Sequence, residues 1–192
     1  MIKTSVAIYT AAASASVSTA NAKAHLKVEH SNDDTLIDGY VKAAEGEVES
    51  YTNRTMISTV YDYYLSDFPK NGIVLPFSPV SAIASIKYYD SSNVEQTWAS
   101  SNYYYNIYEE PCVIRYVDSA PSTYEDRSNA VVVRFTAGYA AAANIPAPLI
   151  QAIKLLMADL YENRTDVPRE AFTAWMRCAY PLRVYHEPEE NQ

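Results

Sequence analysis

The feature that most constrains the fold of this chain is a long amphipathic stretch over residues 145–164. At about 100° per residue, its apolar side chains share one arc of roughly 140°, the width of a helix stripe that faces a core. Pro146 and Pro148 suit the first helical turn, where proline loses no hydrogen bond. Asn163 suits a left-handed C-terminal cap, and Arg164 opposes the negative helix end. The stretch predicts a buried central helix with an apolar face formed by Leu149, Ile150, Ile153, Leu156, Met157, Leu160 and Tyr161.

Composition excludes several classes of protein. The 192 residues are 48% hydrophobic and 20% charged, as in a globular domain. A net charge of −8 argues against a nucleic-acid surface built on positive charge, and four glycines leave little material for a phosphate-binding loop. No run reaches the roughly 18 apolar residues of a membrane span. The N-terminal run is too rich in Ser and Thr for a typical signal peptide, so we expect a strand and a linker there.

A second long helix is expected from about residue 33 to residue 53, with Ser31 or Asn32 as its N-cap. Its core face is expected to comprise Ile37, Val41, Ala44, Val48 and Tyr51. Another side carries the small-residue stripe, which we define as Gly39, Ala43, Gly46 and Ser50. Each glycine within a helix costs about 0.5–1 kcal/mol relative to alanine. The stripe is therefore either a set of tolerated surface positions or a flat groove that a neighbouring subunit approaches.

Between residues 56 and 139 the pattern changes to a period of two, which is typical of half-buried strands. Strands are expected near 57–65, 73–76, 80–89, 94–98, 103–108, 112–117 and 130–135, with a loop over 118–129. A short helix capped by Ser18 or Thr19 precedes the second long helix, and a last helix over 170–178 turns Ala171, Phe172 and Trp175 inward. The predicted class is α+β, a helical core with an inserted antiparallel sheet or sandwich. The expected segments are a strand and linker (1–18), a helical segment (19–54), the β insertion (55–139), a second helical segment packed on the first (145–180) and an extended acidic tail (181–192).

Residues that could carry chemistry are scattered. The three histidines lie in separate segments, and Cys112 and Cys178 are far apart, so we expect free thiols and neither a metal nor a cofactor. The pair Asp33–Asp34 is explained by helix capping, and Glu109–Glu110 by a loop, so no catalytic pair is expected. The run Tyr103-Tyr-Tyr105 could stack on bases, but the acidic residues that follow favour core packing and protein contact. The residues thus predict a protein that is not an enzyme.

Six motifs in order resemble the head–tail connector, or adaptor, family of tailed bacteriophages. They extend over residues 22–164 and are Ala22-Lys-Ala-His-Leu-Lys-Val28, Asp33-Asp-x-Leu36, Glu49-Ser-Tyr-Thr-Asn-Arg54, Leu75-Pro-Phe-Ser-Pro-Val80 with Ile86-Lys-Tyr-Tyr-Asp90, Phe135-Thr-Ala-Gly-Tyr139, and Pro146 through Arg164. The resemblance implies a structural protein that forms a homo-oligomeric ring of twelve copies below the portal protein. It also implies that the ring extends the DNA channel and docks the tail through a stopper or tail-terminator protein. The expected location is the virion neck, with host cytoplasm as the site of assembly.

Assembly surfaces follow from this resemblance. Ring contacts join two different faces of each subunit. The small-residue stripe is a candidate for one face, and the outer side of the central helix, Gln151, Leu155, Ala158 and Glu162, is a candidate for the other. The tail residues Val184, Tyr185, His186 and Glu187 are candidates for docking on the portal. DNA is expected to pass through the ring without specific binding, because an acidic protein has no net electrostatic attraction for phosphates. The alternative is a tyrosine-rich module that binds carbohydrate or a receptor at the surface of a phage particle.

Overall fold

The computed structural model describes residues 2–163 and 172–186, which divide into two compact units. The helical unit contains the described residues of 13–57 and 139–184, and the sheet unit contains those of 2–12, 58–138 and 185–186. The predicted α+β class is confirmed by four helices and two antiparallel sheets. The N-terminal strand lies within the sheet unit, whereas the sequence placed it in a segment with the linker. The expected segment boundaries stay predictions about domain organisation.

The helical unit is formed by α1 (Thr19–Leu26), α2 (Asp34–Thr52), α3 (Ala147–Glu162) and α4 (Ala174–Ala179). Ser18 caps α1, as predicted, by accepting a hydrogen bond from the Asn21 N–H at 3.3 Å. The predicted cap of α2 is wrong, because Asp33 occupies the N-cap position and its side chain makes no capping bond. Its Oδ2 instead accepts a hydrogen bond from the Tyr161 hydroxyl at 2.6 Å. The Asp33 carboxylate therefore makes a tertiary contact with Tyr161 and does not cap the N-terminus of α2.

Helix α3 occupies the core of the helical unit, as its sequence predicted. Leu149, Ile153, Leu156 and Met157 are buried in one cluster with the α2 residues Ile37, Val41, Ala44 and Val48. Leu160 is only partly buried. The expected left-handed cap at Asn163 is wrong, since its φ is −108°, whereas Asn53 at the end of α2 does adopt φ 54°. Arg164 lies outside the described residues.

The last helix is shorter than predicted, at Ala174–Ala179. Trp175 is buried and meets the Tyr51 ring edge-on, with ring centroids 5.3 Å apart. Phe172 does not turn inward, because it precedes the helix and 42% of its surface is exposed. Ala171 lies outside the described residues. The aromatic contact at Trp175 therefore anchors this helix to the core.

The sheet unit contains eight strands in two antiparallel sheets. The larger sheet has the order β1-β2-β8-β4-β5 and the smaller sheet the order β3-β7-β6. The strands are β1 (Thr4–Thr10), β2 (Thr59–Leu65), β3 (Ile73–Val74), β4 (Val80–Tyr89), β5 (Glu95–Trp98), β6 (Tyr103–Tyr104), β7 (Val113–Tyr116) and β8 (Val131–Ala137). Short 3-10 turns occur at Ser100–Asn102 and, in the helical unit, at Ala142–Asn144 and Tyr180–Leu182. The strand predicted over residues 103–108 pairs only at its first two residues.

Side chains from both sheets form one buried cluster, which includes Ile86, Phe135, Leu75 and Ile114. The alternation along β8 is the expected one, because Val131, Val133, Phe135 and Ala137 are buried and the residues between them are not. A glycine is required at position 72, where φ is +96° and a Cβ would lie 2.5 Å from the Ile114 carbonyl oxygen. The period of two in the sequence thus corresponds to a real two-sheet core.

Candidate assembly surfaces

The small-residue stripe lies on the exposed side of α2. Gly39, Ala43, Gly46 and Ser50 are all exposed. A Cβ built on Gly39 or Gly46 meets no atom within 4 Å. Packing inside the described protomer therefore gives no reason for either glycine, although each one weakens the helix.

The proposed outer side of α3 is less uniform than the sequence suggested. Gln151 and Glu162 are exposed and Ala158 is partly buried. Leu155 is also partly buried, and it packs against the cluster of the helical unit. The physical reason is that α1, α2 and α4 all contact α3, so its apolar contact arc is wider than one partner helix requires.

The proposed docking tail is exposed in only part of its described residues. Val184 is buried, its N–H donates to the Thr52 carbonyl at 2.9 Å, and its own carbonyl accepts from Asn53 Nδ2 at 2.8 Å. Val184 is therefore a structural residue of the helical unit. In the sheet unit Tyr185 is exposed, and His186 Nε2 lies 3.3 Å from the Leu75 carbonyl oxygen. Glu187 lies outside the described residues.

The end of α2 is held by Glu49 and Arg54, the two charged residues of the motif over residues 49–54. Glu49 Oε1 accepts a hydrogen bond from the Met56 N–H at 2.6 Å. Burial raises the pKa of Glu49 to about 7, and the charge of Glu45 adds to this, although the Met56 bond acts in the opposite direction. Arg54 Nε donates to the Leu182 carbonyl at 2.5 Å, so it fixes the segment that precedes Val184. These residues position backbone, and the spacing of Glu49 and Arg54 was the signal for them.

Two carboxylates of the sheet unit form ion pairs with arginines. Asp62 and Arg134 form a two-bond pair between β2 and β8, at 2.7 and 2.8 Å, and Arg134 lies over the Tyr9 ring. Glu109 forms a similar pair with Arg115 at 2.6 and 2.7 Å, which lowers the pKa of its carboxyl group. Asp62 and Glu109 are therefore each paired with an arginine within the sheet unit.

Within residues 2–163 and 172–186, no cluster of three or more His, Cys, Asp or Glu side chains has the arrangement of a metal site. Both cysteines are free, as predicted, and burial raises the pKa of Cys112 to about 11. The helices in this part of the chain are also too short or too polar to cross a membrane.

The architecture is that of an α+β protein in which Glu49 and Arg54 hold main-chain groups next to the end of α2. The sequence matches the family model described as phage gp6-like head-tail connector protein over residues 17–129, more than half of the chain. The chain belongs to this family of head–tail connectors, and its function is that of a structural connector in the virion neck, as the motifs predicted. No curated protein matches the sequence.

Solved structures share the fold across almost the whole chain. A chain in the virion of a native gene transfer agent particle is 22% identical, with a TM-score of 0.82 and coverage of 96% of this chain and 98% of the other. A chain in the neck of an empty gene transfer agent particle, computed with C6 symmetry, is 21% identical and has a TM-score of 0.81. A chain in the neck of a native particle, computed with C12 symmetry, is 21% identical and has a TM-score of 0.77. Each of the latter two comparisons covers 97% of this chain and 98% of the other. At this identity the likeness establishes the fold.

Proposed function

We propose that the protein forms a homo-oligomeric ring of twelve copies between the portal and the tail of a phage particle, without enzymatic activity. The observation that carries this proposal is the match to the head–tail connector family over residues 17–129. The C12 symmetry of a neck that contains a chain of the same fold supports the number of copies. None of the findings favours a carbohydrate- or receptor-binding module.

DNA passes through the channel of the ring without binding to the protein. A net charge of −8 per protomer gives no bulk attraction to phosphates, which is the term that dominates non-specific binding to DNA. One end of the ring docks on the portal, with Tyr185 and His186 as the described candidates, since Val184 is buried. The opposite end receives a stopper or tail-terminator protein.

The experiment that tests the ring uses the full-length protein, alone and mixed with the portal of its own phage. Mass photometry and electron microscopy are expected to find a ring of twelve copies, free or seated on the portal. A protein that remains a monomer in both samples, at concentrations up to those used for imaging, contradicts the proposed function.

The small-residue stripe is proposed as one face of the subunit interface. Its four residues are exposed, and no contact within the described protomer explains its glycines. The facing surface is the side of α3 with Gln151, Ala158 and Glu162, and Leu155 contributes only its exposed part. Close approach of two backbones is the advantage that small residues offer to such a contact.

Gly46→Leu tests this interface. The added side chain points into open space, so the fold is expected to remain intact while ring assembly falls. The matched control is Glu47→Leu, at an exposed position next to it that lies about 100° away around the helix. Assembly is measured by size-exclusion chromatography with light scattering. If both variants assemble like the unmodified protein, the stripe is not at the interface.

A further inference from the structure

Strand β1 is an edge strand with an apolar face that nothing in the described protomer covers. It lies at the end of the five-stranded sheet and pairs only with β2. Val6 and Ile8 stand opposite Tyr63 and Tyr61, so they share the face of the sheet that carries the core. All seven residues of β1 are exposed, however, and 62% of the surface of Ile8 is accessible. Long, uncharged and exposed edge strands readily pair with another chain, and proteins normally protect them.

A second apolar edge lies in the smaller sheet of the same unit. Strand β6 is at the end of that sheet. Beyond it, residues 105–108 have no ladder partner in the part of the protein that is described, and the chain turns at Ile107–Tyr108, where Asn106 accepts hydrogen bonds from the N–H groups of Tyr108 and Glu109. Tyr104, Tyr105, Ile107 and Tyr108 are exposed, and 87% of the surface of Tyr108 is accessible. Like Thr4–Thr10, the segment Tyr103–Tyr108 contains no charged residue. These two segments together carry seven of the large apolar side chains exposed in the described residues.

The net charge indicates what covers these two edges. Copies that each carry a charge of −8 repel one another, so close contact between them is favoured where their surfaces are uncharged. A head-to-tail ring contact also needs two different patches on each subunit that fit one another. The β1 edge and the Tyr103–Tyr108 edge meet both conditions, because both are uncharged and apolar and each belongs to a strand with a free side.

We propose that the free edge of β1 in one protomer pairs with the Tyr103–Tyr108 edge of the next copy around the ring. Val6 and Ile8 then pack against the exposed tyrosines and Ile107 of the neighbouring copy. Main-chain hydrogen bonds join β1 to β6 and Tyr105, as in other cases of strand addition, because the Asn106 carbonyl and the Tyr108 N–H are already used in their own turn. This inference rests on the ring of the proposed function and adds a contact in the sheet unit to that of the small-residue stripe.

The charges that flank the two edges define the direction of pairing. Lys3 immediately precedes β1 and is exposed, whereas Glu109 and Glu110 immediately follow Tyr108, and Arg115, which pairs with Glu109, balances one of these two negative charges. Antiparallel pairing places Lys3 beside the two glutamates, whereas parallel pairing places it at the far end of the segment. The antiparallel arrangement is therefore the complementary one. It brings Val6 close to Ile107 of the neighbouring copy.

Disulfide trapping tests the contact directly. In the full-length chain, Val6→Cys combined with Ile107→Cys is expected to yield, on mild oxidation of the assembled ring, a ladder of covalent multiples of the 21.5 kDa protomer. Each single variant is the control and is expected to give no ladder beyond a dimer, because a continuous series needs both thiols in every copy. All three proteins also carry Cys178→Ser, because Cys178 is a free and partly exposed thiol, whereas the native Cys112 is buried. A ring that forms but gives no ladder in the double variant overturns the inference.

A pair of charge variants supplies a second readout. Val6→Asp is expected to weaken ring assembly by about tenfold or more. The matched control Val94→Asp, at an exposed valine outside both segments, is expected to leave assembly unchanged, and both variants are expected to unfold like the unmodified protein. Equal assembly of the two variants contradicts the contact. A Val6→Asp ring that forms normally but no longer attaches to the tail also contradicts it, since β1 would then bind another virion protein. If no protein forms a ring, even with the portal, the proposed function fails together with this contact.

Discussion

Glu49 shows how one buried carboxyl group makes stability depend on pH. Its pKa is raised from 4.5 to about 7, mainly because burial disfavours the charged form. Between these two values the folded protein binds more protons than the unfolded chain. Stability is therefore expected to fall as the pH rises through this window.

We expect Glu49→Gln to remove most of this pH dependence. The glutamine amide keeps an oxygen for the Met56 N–H and has no proton to lose in this range. A full shift of this size corresponds to about 3 kcal/mol, which is an upper limit for the change between pH 4.5 and pH 7. Urea unfolding at pH 5 and pH 8 measures it, with Glu47→Gln at an exposed position of the same helix as the control. A Glu49→Gln variant with the pH dependence of the unmodified protein contradicts this assignment.

The pair of Asp62 and Arg134 is the second place where a single residue carries measurable stability. The Asp62 side chain is largely buried, with 9% of its surface exposed, and it holds Arg134 through two hydrogen bonds. We expect Asp62→Ala to lower the free energy of unfolding by about 2 kcal/mol, because Arg134 loses both acceptors. Arg134→Lys is expected to lose part of this energy, since lysine does not form the two parallel bonds. Thermal unfolding of the three proteins tests the order, and equal stability of all three would contradict it.

At the scale of the element, α3 depends on one face for its stability. Leu156 is 2% exposed in the cluster that joins α3 to α2. We expect Leu156→Ala to cost about 2–5 kcal/mol, which is the range for a truncated buried leucine. The control Gln151→Ala, at an exposed position of the same helix, is expected to change stability by less than about 0.5 kcal/mol. A loss of stability at Gln151 as large as that at Leu156 would mean that the two sides of α3 are not distinct.

Leu155 illustrates why a helix cannot be divided into two faces from its sequence alone. Spacing alone places Leu155 on the outer side of α3 and predicts that Leu155→Asp leaves the fold intact and weakens only the ring. The partial burial of Leu155 against the helical cluster changes this expectation, because the aspartate is placed at the border of the core. We now expect Leu155→Asp to lower both stability and assembly, so Gly46→Leu is the cleaner test of the interface.

At the scale of the whole molecule, net charge opposes assembly. Neighbouring protomers of charge −8 repel one another, and salt screens this repulsion over a distance of about 8–10 Å near 0.1–0.15 M ionic strength. We expect the ring to be more complete in about 0.3 M NaCl than in about 0.02 M NaCl, as measured by mass photometry at equal protein concentration. The opposite trend would indicate that ion pairs dominate the contact between subunits.

The same charge predicts that the assembled ring does not retain DNA. The acidic protein has few cationic side chains to spare for neutralising phosphates and releasing their condensed counterions. We therefore expect the ring not to retain a DNA duplex in a gel-shift assay near 0.15 M salt. A basic protein of similar size serves as the positive control for the assay. Stable binding of the duplex by the ring would contradict free passage of DNA through the channel.

The sequence by itself determined the class of fold, the two long helices with their shared core, the strand pattern and the family. The fold class and the elements follow from local periodicity, which each element carries within its own residues, whereas the family was indicated by the resemblance of six ordered motifs. Leu149, Ile153 and Leu156 share one face of α3 because of their 3.6-residue spacing, and they are buried in one cluster with Val41 and Val48. The motif of Glu49 and Arg54 was also visible, although its role in holding backbone was not.

Only the tertiary structure decided how individual polar and border residues are used. Asp33 accepts a hydrogen bond from the Tyr161 hydroxyl and does not cap the helix. Leu155 packs against the helical core, and the Val184 N–H donates to the Thr52 carbonyl. Each partner is more than 100 residues away in the chain or belongs to another helix, so no local pattern contains the contact. The uncovered edges at β1 and β6 depend likewise on strand order, which periodicity does not specify.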